Sequence, residues 1–289
     1  MEVLKMLRKL LAVGLIWLIF GANLALAAEN VVIKGSTTVL PIAQSALEAY
    51  TKVHPGVNIS LSAGGSGDGI KALIDKSTDI ANSSREIKDK EITLARAQGV
   101  DPIAHAVAID AIVPIVHPKN KINGLTIDQL SQIYQGKITN WKEVGGDNLT
   151  IVVVSRDSSS GTFESWGHLV LNNARVTSKA QLQASNGAVV QAVSKNRYAI
   201  GYIGLGYLNT SLKALTVNGI TASAKTALSK EYPVSRPLYM YTNGQPTGEV
   251  ANLIKFVLSP AGQKLVAKEG FVPVTAEAKE KTLKKGKKQ

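Results

Sequence analysis

Three short turns rich in glycine, serine and threonine recur in this sequence, each between an apolar β-branched run and a run with helical spacing. They are Gly35-Ser36-Thr37-Thr38, Gly64-Gly65-Ser66-Gly67-Asp68-Gly69 and Arg156-Asp157-Ser158-Ser159-Ser160-Gly161-Thr162. Strands and helices that alternate in this way predict an α/β fold with largely parallel sheets. The first turn precedes a helix expected from Leu40 to Val53, and the second precedes one expected from Ile70.

The chemistry of these turns suits a small anion. The first N–H groups of a helix have no partner within the helix, and glycine lets the backbone approach an anion closely. Serine and threonine add hydroxyl donors, and Arg156 adds a fork of donors for two oxygens. Each turn also has an ordinary explanation, as a helix cap, a flexible connection or a surface pair of Arg156 with Asp157. Both interpretations stay open on the pattern alone.

Several other kinds of site are excluded by the sequence. It has no Gly-x4-Gly-Lys-Ser/Thr motif for nucleotide phosphates, and Asp68 stands where a nucleophile elbow needs glycine. Aromatic residues make up only 5% of the chain, too few for a platform on which sugars or single-stranded nucleic acid could stack. The four histidines have no metal-ligand spacing, which argues against a catalytic zinc site. With no cysteine, thiolate metal sites and a cysteine nucleophile are excluded as well. We therefore expect no metal and no cofactor.

The N-terminal segment predicts export. Lys5, Arg8 and Lys9 precede an apolar run from Leu10 to Phe20, and Ala25-Leu26-Ala27 has the spacing of a cleavage site. A retained membrane anchor is the alternative, but the run is shorter than the roughly 20 residues of a spanning helix. We expect a signal peptide at 1–27, cleaved after residue 27 or 28. Without cysteine the mature protein is expected to be periplasmic or secreted, and not a lipoprotein.

The positive charge is concentrated outside the body of the chain. The formal net charge is +12, which first suggests nucleic acid or a membrane surface. Residues 279–289 carry six lysines against one glutamate, and the signal segment carries a further excess of two. The remaining +5 is spread over residues 28–278, so we expect no nucleic-acid partner. An adhesin that binds through the basic tail at 279–289 remains an alternative.

Two crossings between lobes are predicted. The run from Ala106 to His117 is too long for an ordinary strand, and a second crossing is expected near Tyr232–Pro237. They divide the chain into lobe 1, residues 28–112 plus 235–278, and lobe 2, residues 113–234. Such a division leaves a cleft between the lobes with the crossings as hinges.

The three turns and four further segments resemble the phosphate-binding proteins of bacterial phosphate ABC importers. The further segments are Asp79-Ile80-Ala81-Asn82-Ser83-Ser84-Arg85, Ile133 to Gly146, Ile200-Gly201-Tyr202, and Leu258-Ser259-Pro260-Ala261-Gly262-Gln263. The similarity extends from the start of the mature chain to about Val274. It implies a two-lobed type II periplasmic-binding fold with two hinge crossings. It also implies a monomeric binding protein, not an enzyme, that closes on inorganic phosphate and delivers it to a membrane permease.

The resemblance also implies a set of phosphate ligands. Thr38 and the Val39 N–H match the first turn, with Thr37 as a competing assignment, and Asp157 matches a carboxylate that restrains the arginine. Ser83 or Ser84 is expected to complete the shell. The implied ligands are Thr37, Thr38, Val39, Ser66, Ser83, Ser84, Arg156, Ser160, Gly161 and Thr162.

One departure from the family pattern concerns selectivity. Well-studied relatives have, at the position of Ser84, a carboxylate that accepts the proton of phosphate and so repels sulfate. Asp110 is a candidate replacement, or alternatively a structural hinge residue. Binding of another oxyanion such as sulfate therefore stays an alternative. A secreted phosphatase with Ser66 or Ser160 as nucleophile is a further one, although neither serine has a paired histidine in a readable motif.

Overall fold

The computed structural model describes residues 30–274, and within them it contains twelve strands and nine α-helices. The strands are β1 (Asn30–Ser36), β2 (Asn58–Gly64), β3 (Ile80–Ser83), β4 (Pro102–Val116), β5 (Gly124–Leu125), β6 (Val152–Arg156), β7 (Gln181–Gln183), β8 (Ala199–Gly204), β9 (Lys213–Ala214), β10 (Thr216–Val217), β11 (Ser235–Asn243) and β12 (Val272–Pro273). The helices are α1 (Leu40–Val53), α2 (Ser66–Ile74), α3 (Asp89–Ala97), α4 (Ile127–Tyr134), α5 (Gly161–Leu169), α6 (Asn186–Ser194), α7 (Ala224–Leu228), α8 (Gly248–Val257) and α9 (Pro260–Lys268). The predicted signal peptide at 1–27 and basic tail at 279–289 lie outside these residues.

The main sheet is mixed rather than largely parallel. Its strand order is β2-β1-β3-β11-β4-β8-β6-β7. The strands β1, β2 and β3 are parallel to one another, and so are β6, β7 and β8. The two middle strands, β4 and β11, are antiparallel to each other and to their outer neighbours. The chain leaves the first half of the sheet along β4 and returns along β11, so these two strands run in opposite directions.

Strand β4 changes its partner along its length. Its first part, up to Ala111, pairs with β11, and its last part, from Ile112, pairs with β8. The Ile112 N–H donates to the Val234 carbonyl at 2.8 Å, one residue before β11 begins. The change falls beside the lobe boundaries predicted at 112/113 and 234/235. The bounds of the two lobes stay a prediction and are taken up below as a proposal.

Apolar packing follows the two halves of the sheet. One cluster of buried side chains consists of residues between Ala111 and Val234, together with Val272. The other clusters are built from residues at 31–108 and 238–274. Helix α1 illustrates the local cause: it begins with proline in its first turn and buries Ile42, Ala43, Ala46 and Tyr50 along one face. No helix within residues 30–274 has the length and apolar character needed to cross a membrane.

Candidate anion-binding site

The three predicted turns contact one another. Each follows a strand, β1, β2 or β6, and leads into a helix, α1, α2 or α5. The hydroxyl oxygens of Thr38 and Thr162 lie 2.9 Å apart, and the Gly67 N–H donates to the Ser159 carbonyl at 2.9 Å. The second helix starts at Ser66 and not at Ile70, because Asp68 accepts from the Gly65 N–H and caps the first turn early. The turns therefore form one buried polar cluster.

Two serines of the cluster lie against the start of α5. Ser66 Oγ accepts from the Ser84 N–H at 3.0 Å and lies 3.3 Å from Ser84 Oγ. A Cβ atom added at Gly161 would lie 2.4 Å from Ser66 Oγ and 2.8 Å from Ser84 Oγ. Only glycine permits so close an approach of a helix N-terminus to these hydroxyls.

Arg156 is almost completely buried at the end of β6, with 1% of its surface exposed. Its Nε donates to the Gln183 carbonyl and its Nη2 to the Ala184 carbonyl, both at 3.0 Å. Nη1 is buried and has no hydrogen-bond partner. An unpaired buried guanidinium nitrogen is costly, and a bound anion would satisfy it.

The arginine is held from two sides. The Tyr202 hydroxyl accepts from the Arg156 N–H at 3.2 Å, and the Tyr202 ring stacks on Trp166 in the core. Asp157 Oδ2 is 3.8 Å from Arg156 Nη2, which is close enough for attraction but too long for a hydrogen bond. Burial lowers the pKa of Arg156, and Asp157 opposes this shift. The guanidinium stays charged because its ordinary pKa is very high.

Three of the implied ligands are engaged locally. The Val39 N–H donates to the Ser36 carbonyl at 3.2 Å, and the Val39 side chain lies in the apolar core. Ser83 Oγ donates to the Arg85 carbonyl at 2.8 Å. Ser160 Oγ accepts from the Phe163 N–H at 3.3 Å and caps α5. The structure thus brings the other implied residues, which are Thr37, Thr38, Ser66, Ser84, Arg156, Gly161 and Thr162, into or beside one polar cluster.

Sequence reasoning missed Asn186 and Arg236. Asn186 is the first residue of α6, and its Nδ2 donates to Thr37 Oγ1 at 3.1 Å and to Thr38 Oγ1 at 3.0 Å. It follows Ser185, which caps α6, so this is a fourth strand-to-helix turn rich in small polar residues. Arg236 is the second residue of β11, where the strand pattern alone gives no sign that its side chain reaches the cluster.

Arg236 binds both halves of the structure. Its Nη2 donates to Asp110 Oδ2 at 3.1 Å and to Thr162 Oγ1 at 2.8 Å, and its Nη1 donates to the Gly161 carbonyl at 3.0 Å. Asp110 Oδ1 accepts from the Leu205 N–H at 2.9 Å. Burial raises the pKa of Asp110, while Arg236 opposes the rise. Both carboxylate oxygens therefore have partners, which favours a structural role for Asp110 over acceptance of an anion's proton.

A group of ion pairs lies beside the cluster. Arg85 Nη1 and Nη2 each donate to Glu91 at 2.7 Å, and Arg85 Nε lies 2.9 Å from Glu164 Oε2. Lys88 Nζ is 2.6 Å from the same Glu164 oxygen. Arg85 and Lys88 precede the predicted boundary at 112/113, whereas Glu164 belongs to α5 beyond it.

These contacts define what the site can do chemically. It offers hydroxyl donors, the first N–H groups of α5 and the guanidinium groups of Arg156 and Arg236, each with one buried nitrogen, Nη1 and Nε respectively, that has no partner. Hydrogen bonds to an anion strengthen in such a low-dielectric setting. No group of three or more side chains suited to a metal ion occurs between residues 30 and 274. The arrangement suits a small oxyanion.

Known proteins are similar to this chain along most of its length. A family model described as the PBP superfamily domain matches residues 22–261. The phosphate-binding protein PstS of Borreliella burgdorferi is 36% identical over 254 residues, which are 84% of this chain and 89% of that protein. PstS of Bacillus subtilis is 31% identical, over 86% of this chain and 82% of that protein.

Solved structures agree with these sequence relatives. A phosphate ABC transporter substrate-binding protein from Clostridium perfringens, solved with bound phosphate, has a TM-score of 0.79 and 35% identity. The match covers 86% of this chain and all of that chain. An ABC-type phosphate transport receptor from Vibrio cholerae has a TM-score of 0.70 and 30% identity, over 84% of this chain and all of that chain.

Proposed function

Because this chain belongs to the family of phosphate-binding substrate-binding proteins of ABC transporters, we propose that it captures inorganic phosphate and delivers it to a membrane permease. The observation that carries the proposal is the buried guanidinium of Arg156, whose Nη1 has no partner. A tetrahedral oxyanion beside this atom would satisfy it. The hydroxyls of Thr38, Ser66 and Thr162 would donate to the other oxygens.

The proposed ligands combine one charge with many neutral donors. Arg156 supplies the charge, and the N–H groups of Gly161 and Thr162 lie in the first turn of α5, where the helix dipole favours an anion. Ser84 completes the shell beside Ser66. We place Thr37, Val39, Ser83 and Ser160 around the anion as residues that shape the turns. Thr37 accepts from Asn186, and each of the other three has a local partner in the described structure.

We propose that binding couples to closure of two lobes. Lobe 1 comprises residues 28–112 and 235–278, and lobe 2 comprises residues 113–234. The change of partner in β4 at Ala111 and Ile112 supports a hinge at this point. Closure would expel water from the cleft, so that each donor acts on the anion in a low dielectric. We propose that the closed molecule is a monomer and that it then docks on its permease.

The proposed location follows from the predicted signal peptide at 1–27. After its removal the protein would act in the periplasm or outside the cell, without a lipid anchor since the sequence has no cysteine. The basic tail at 279–289 has no assigned role in binding phosphate.

Sulfate is the second candidate ligand, and one observation favours it. The carboxylates near the cluster have partners: Asp110 binds Arg236 and Leu205, and Asp157 Oδ1 accepts from the Ser159 N–H at 2.9 Å. An oxyanion without a proton needs only donors, and most groups of the cluster are donors. Phosphate remains the proposed ligand because the PstS relatives at 36% and 31% identity are named phosphate-binding proteins.

Phosphatase activity is the less favoured alternative. Within residues 30–274, the hydroxyls of Ser66 and Ser160 bond to backbone N–H groups and to Ser84, and to no histidine. A serine nucleophile needs a base within hydrogen-bond reach. We therefore propose stoichiometric binding without turnover.

A calorimetric titration of the mature protein tests this proposal. Phosphate is expected to bind one per chain, and sulfate is titrated in parallel. A chromogenic phosphomonoester is incubated with the same preparation and should release no product above the rate of a Ser66→Ala variant. Absence of phosphate binding, or steady release that the substitution abolishes, would contradict the proposal.

A further inference from the structure

Asn186 reaches from the first turn of α6 to the threonines of the first turn. Its side chain is fully buried, and both protons of its amide are used on Thr37 Oγ1 and Thr38 Oγ1. The partners lie almost 150 residues earlier in the chain, so this contact joins the two sides of the polar cluster.

The orientation of this amide is fixed by a third contact. The Gly204 N–H donates to Asn186 Oδ1 at 3.1 Å. A backbone N–H cannot accept a hydrogen bond, so the atom that faces Gly204 must be the carbonyl oxygen. The nitrogen therefore faces the threonines, and it can only donate to them. Thr38 Oγ1 accepts from Asn186 and keeps its own proton for another partner.

Arg236 donates to the Thr162 hydroxyl as Asn186 donates to the Thr38 hydroxyl. A guanidinium has no acceptor atom, so its contact at 2.8 Å makes Thr162 Oγ1 an acceptor and leaves the Thr162 proton free to point elsewhere. Thr38 and Thr162 face each other at 2.9 Å. When one hydroxyl donates to the other, only the proton of the accepting hydroxyl is available to a further partner. An anion that lies beside both oxygens can take both protons.

We propose that Asn186 and Arg236 are positioning residues that hold Thr38 and Thr162 as hydrogen-bond donors toward the bound anion. The inference rests on the proposed function of this site and deepens it. Both residues act through a threonine, and Arg236 in addition has a buried Nε without a hydrogen-bond partner. In their absence each threonine hydroxyl rotates freely between donor and acceptor orientations, so that binding must first order it.

A double-mutant cycle in the mature protein separates this role from a merely structural one. The phosphate Kd is measured by calorimetry for Asn186→Ala, Thr38→Val and the double variant. Thr38→Val is expected to weaken binding roughly tenfold to a hundredfold, the range for a lost hydrogen bond to a charged group. Asn186→Ala is expected to weaken it roughly tenfold, because the Thr38 hydroxyl must then be ordered on binding. In the Thr38→Val background, Asn186→Ala should cost roughly threefold or less, because the hydroxyl that it orients is gone.

A matched control uses another hydroxyl of the same site. Ser66 Oγ bonds to Ser84 and not to Asn186, so the losses from Asn186→Ala and Ser66→Ala should multiply. Circular dichroism and thermal unfolding establish that each variant is folded. Should Asn186→Ala not fold, the cycle of Arg236→Lys with Thr162→Val tests the same proposal on the other threonine. The loss of affinity in that double variant should again be smaller than the product of the two single losses.

The outcomes are distinct for the two proposals. Wild-type protein that binds no phosphate contradicts the proposed function, and this inference with it. Wild-type binding together with multiplied losses in the Asn186 and Thr38 cycle overturns the inference alone. Unchanged affinity of folded Asn186→Ala overturns it as well.

Discussion

Arg85 Nε and Glu164 Oε2 lie 2.9 Å apart, although the two residues belong to opposite sides of the predicted lobe boundary. Lys88 reaches the same carboxylate, and Glu91 holds Arg85 from within its own side. Only 7% of the Arg85 side chain and 21% of the Glu164 side chain are exposed. The pair therefore acts in a setting where charges are poorly screened, and it stabilises contact between the two sides.

Glu164→Gln should weaken phosphate binding by favouring separation of the lobes. We expect a roughly threefold to tenfold increase in Kd, typical of a partly buried ion pair, with little dependence on salt because the pair is poorly screened. Calorimetry at two salt concentrations measures it. Asp75→Asn, which breaks the exposed pair of Lys71 with Asp75, is the control and should leave Kd unchanged. Equal affinities for Glu164→Gln and wild type would contradict a role of this pair in closure.

Glu91 should stabilise the folded protein near neutral pH, and this contribution should be lost in acid. Burial alone would raise the pKa of Glu91, but hydrogen bonds from Arg85 and the Lys88 N–H outweigh it, so the pKa lies below its ordinary value of 4.5. A carboxylate with a lowered pKa in the folded state contributes stability above its unfolded pKa and loses that contribution as the pH falls through the folded pKa. Urea unfolding near neutral pH and at about pH 3 should therefore show a smaller decrease in stability for Glu91→Gln than for wild type. An identical decrease would show that Glu91 contributes nothing.

Gly161→Ala should abolish tight phosphate binding without unfolding the protein. The new Cβ would lie 2.4 Å from Ser66 Oγ, so the start of α5 could no longer approach α2. Gly167→Ala is a matched control in the same helix, because a Cβ there meets nothing within 4 Å. We expect Gly167→Ala to bind phosphate normally and to be slightly more stable, by up to about 1 kcal/mol. Normal binding by Gly161→Ala would contradict the packing of these turns in the bound state.

Ser84→Asp should improve discrimination against sulfate. The substitution places a carboxylate beside Ser66, where it can accept a proton from phosphate but repels an oxyanion that has none. The ratio of sulfate to phosphate Kd is expected to rise roughly a hundredfold. Ser84→Asn, which has the same shape without the charge, should leave the ratio near that of wild type. A ratio that moves equally in both variants would exclude the charge as its cause.

The sequence allowed the fold class and much of the site to be predicted, for local reasons. Helix α1 has the predicted bounds because its apolar face and its proline are local features. Thr38, Ser66 and Arg156 were predicted as ligands because each stands in a recognisable turn, and the structure brings these turns together in one polar cluster. The second turn misled only on where its helix begins, since the Asp68 cap lies inside the glycine run.

The residues that were missed depend on contacts between distant segments. Arg236 lies 74 residues from Thr162, and no pattern at the start of β11 predicts that its side chain turns toward α5. Asn186 could have been predicted from the sequence, because Ser185-Asn186-Gly187 precedes and begins a helix as the other turns do. The antiparallel direction of β4 and β11 was missed because alternation of strands and helices says nothing about strands that link two halves of a sheet.

The central claim is that Arg156 binds the anion. The phosphate Kd of Arg156→Ala, compared with wild type and with Arg197→Ala, tests it most directly, since Arg197 is half exposed and lies away from the cluster. We predict that Arg156→Ala stays folded and loses at least roughly a hundredfold in affinity, as expected for a charge-assisted hydrogen bond, whereas Arg197→Ala binds as wild type does. Folded Arg156→Ala that binds phosphate with wild-type affinity would contradict the account.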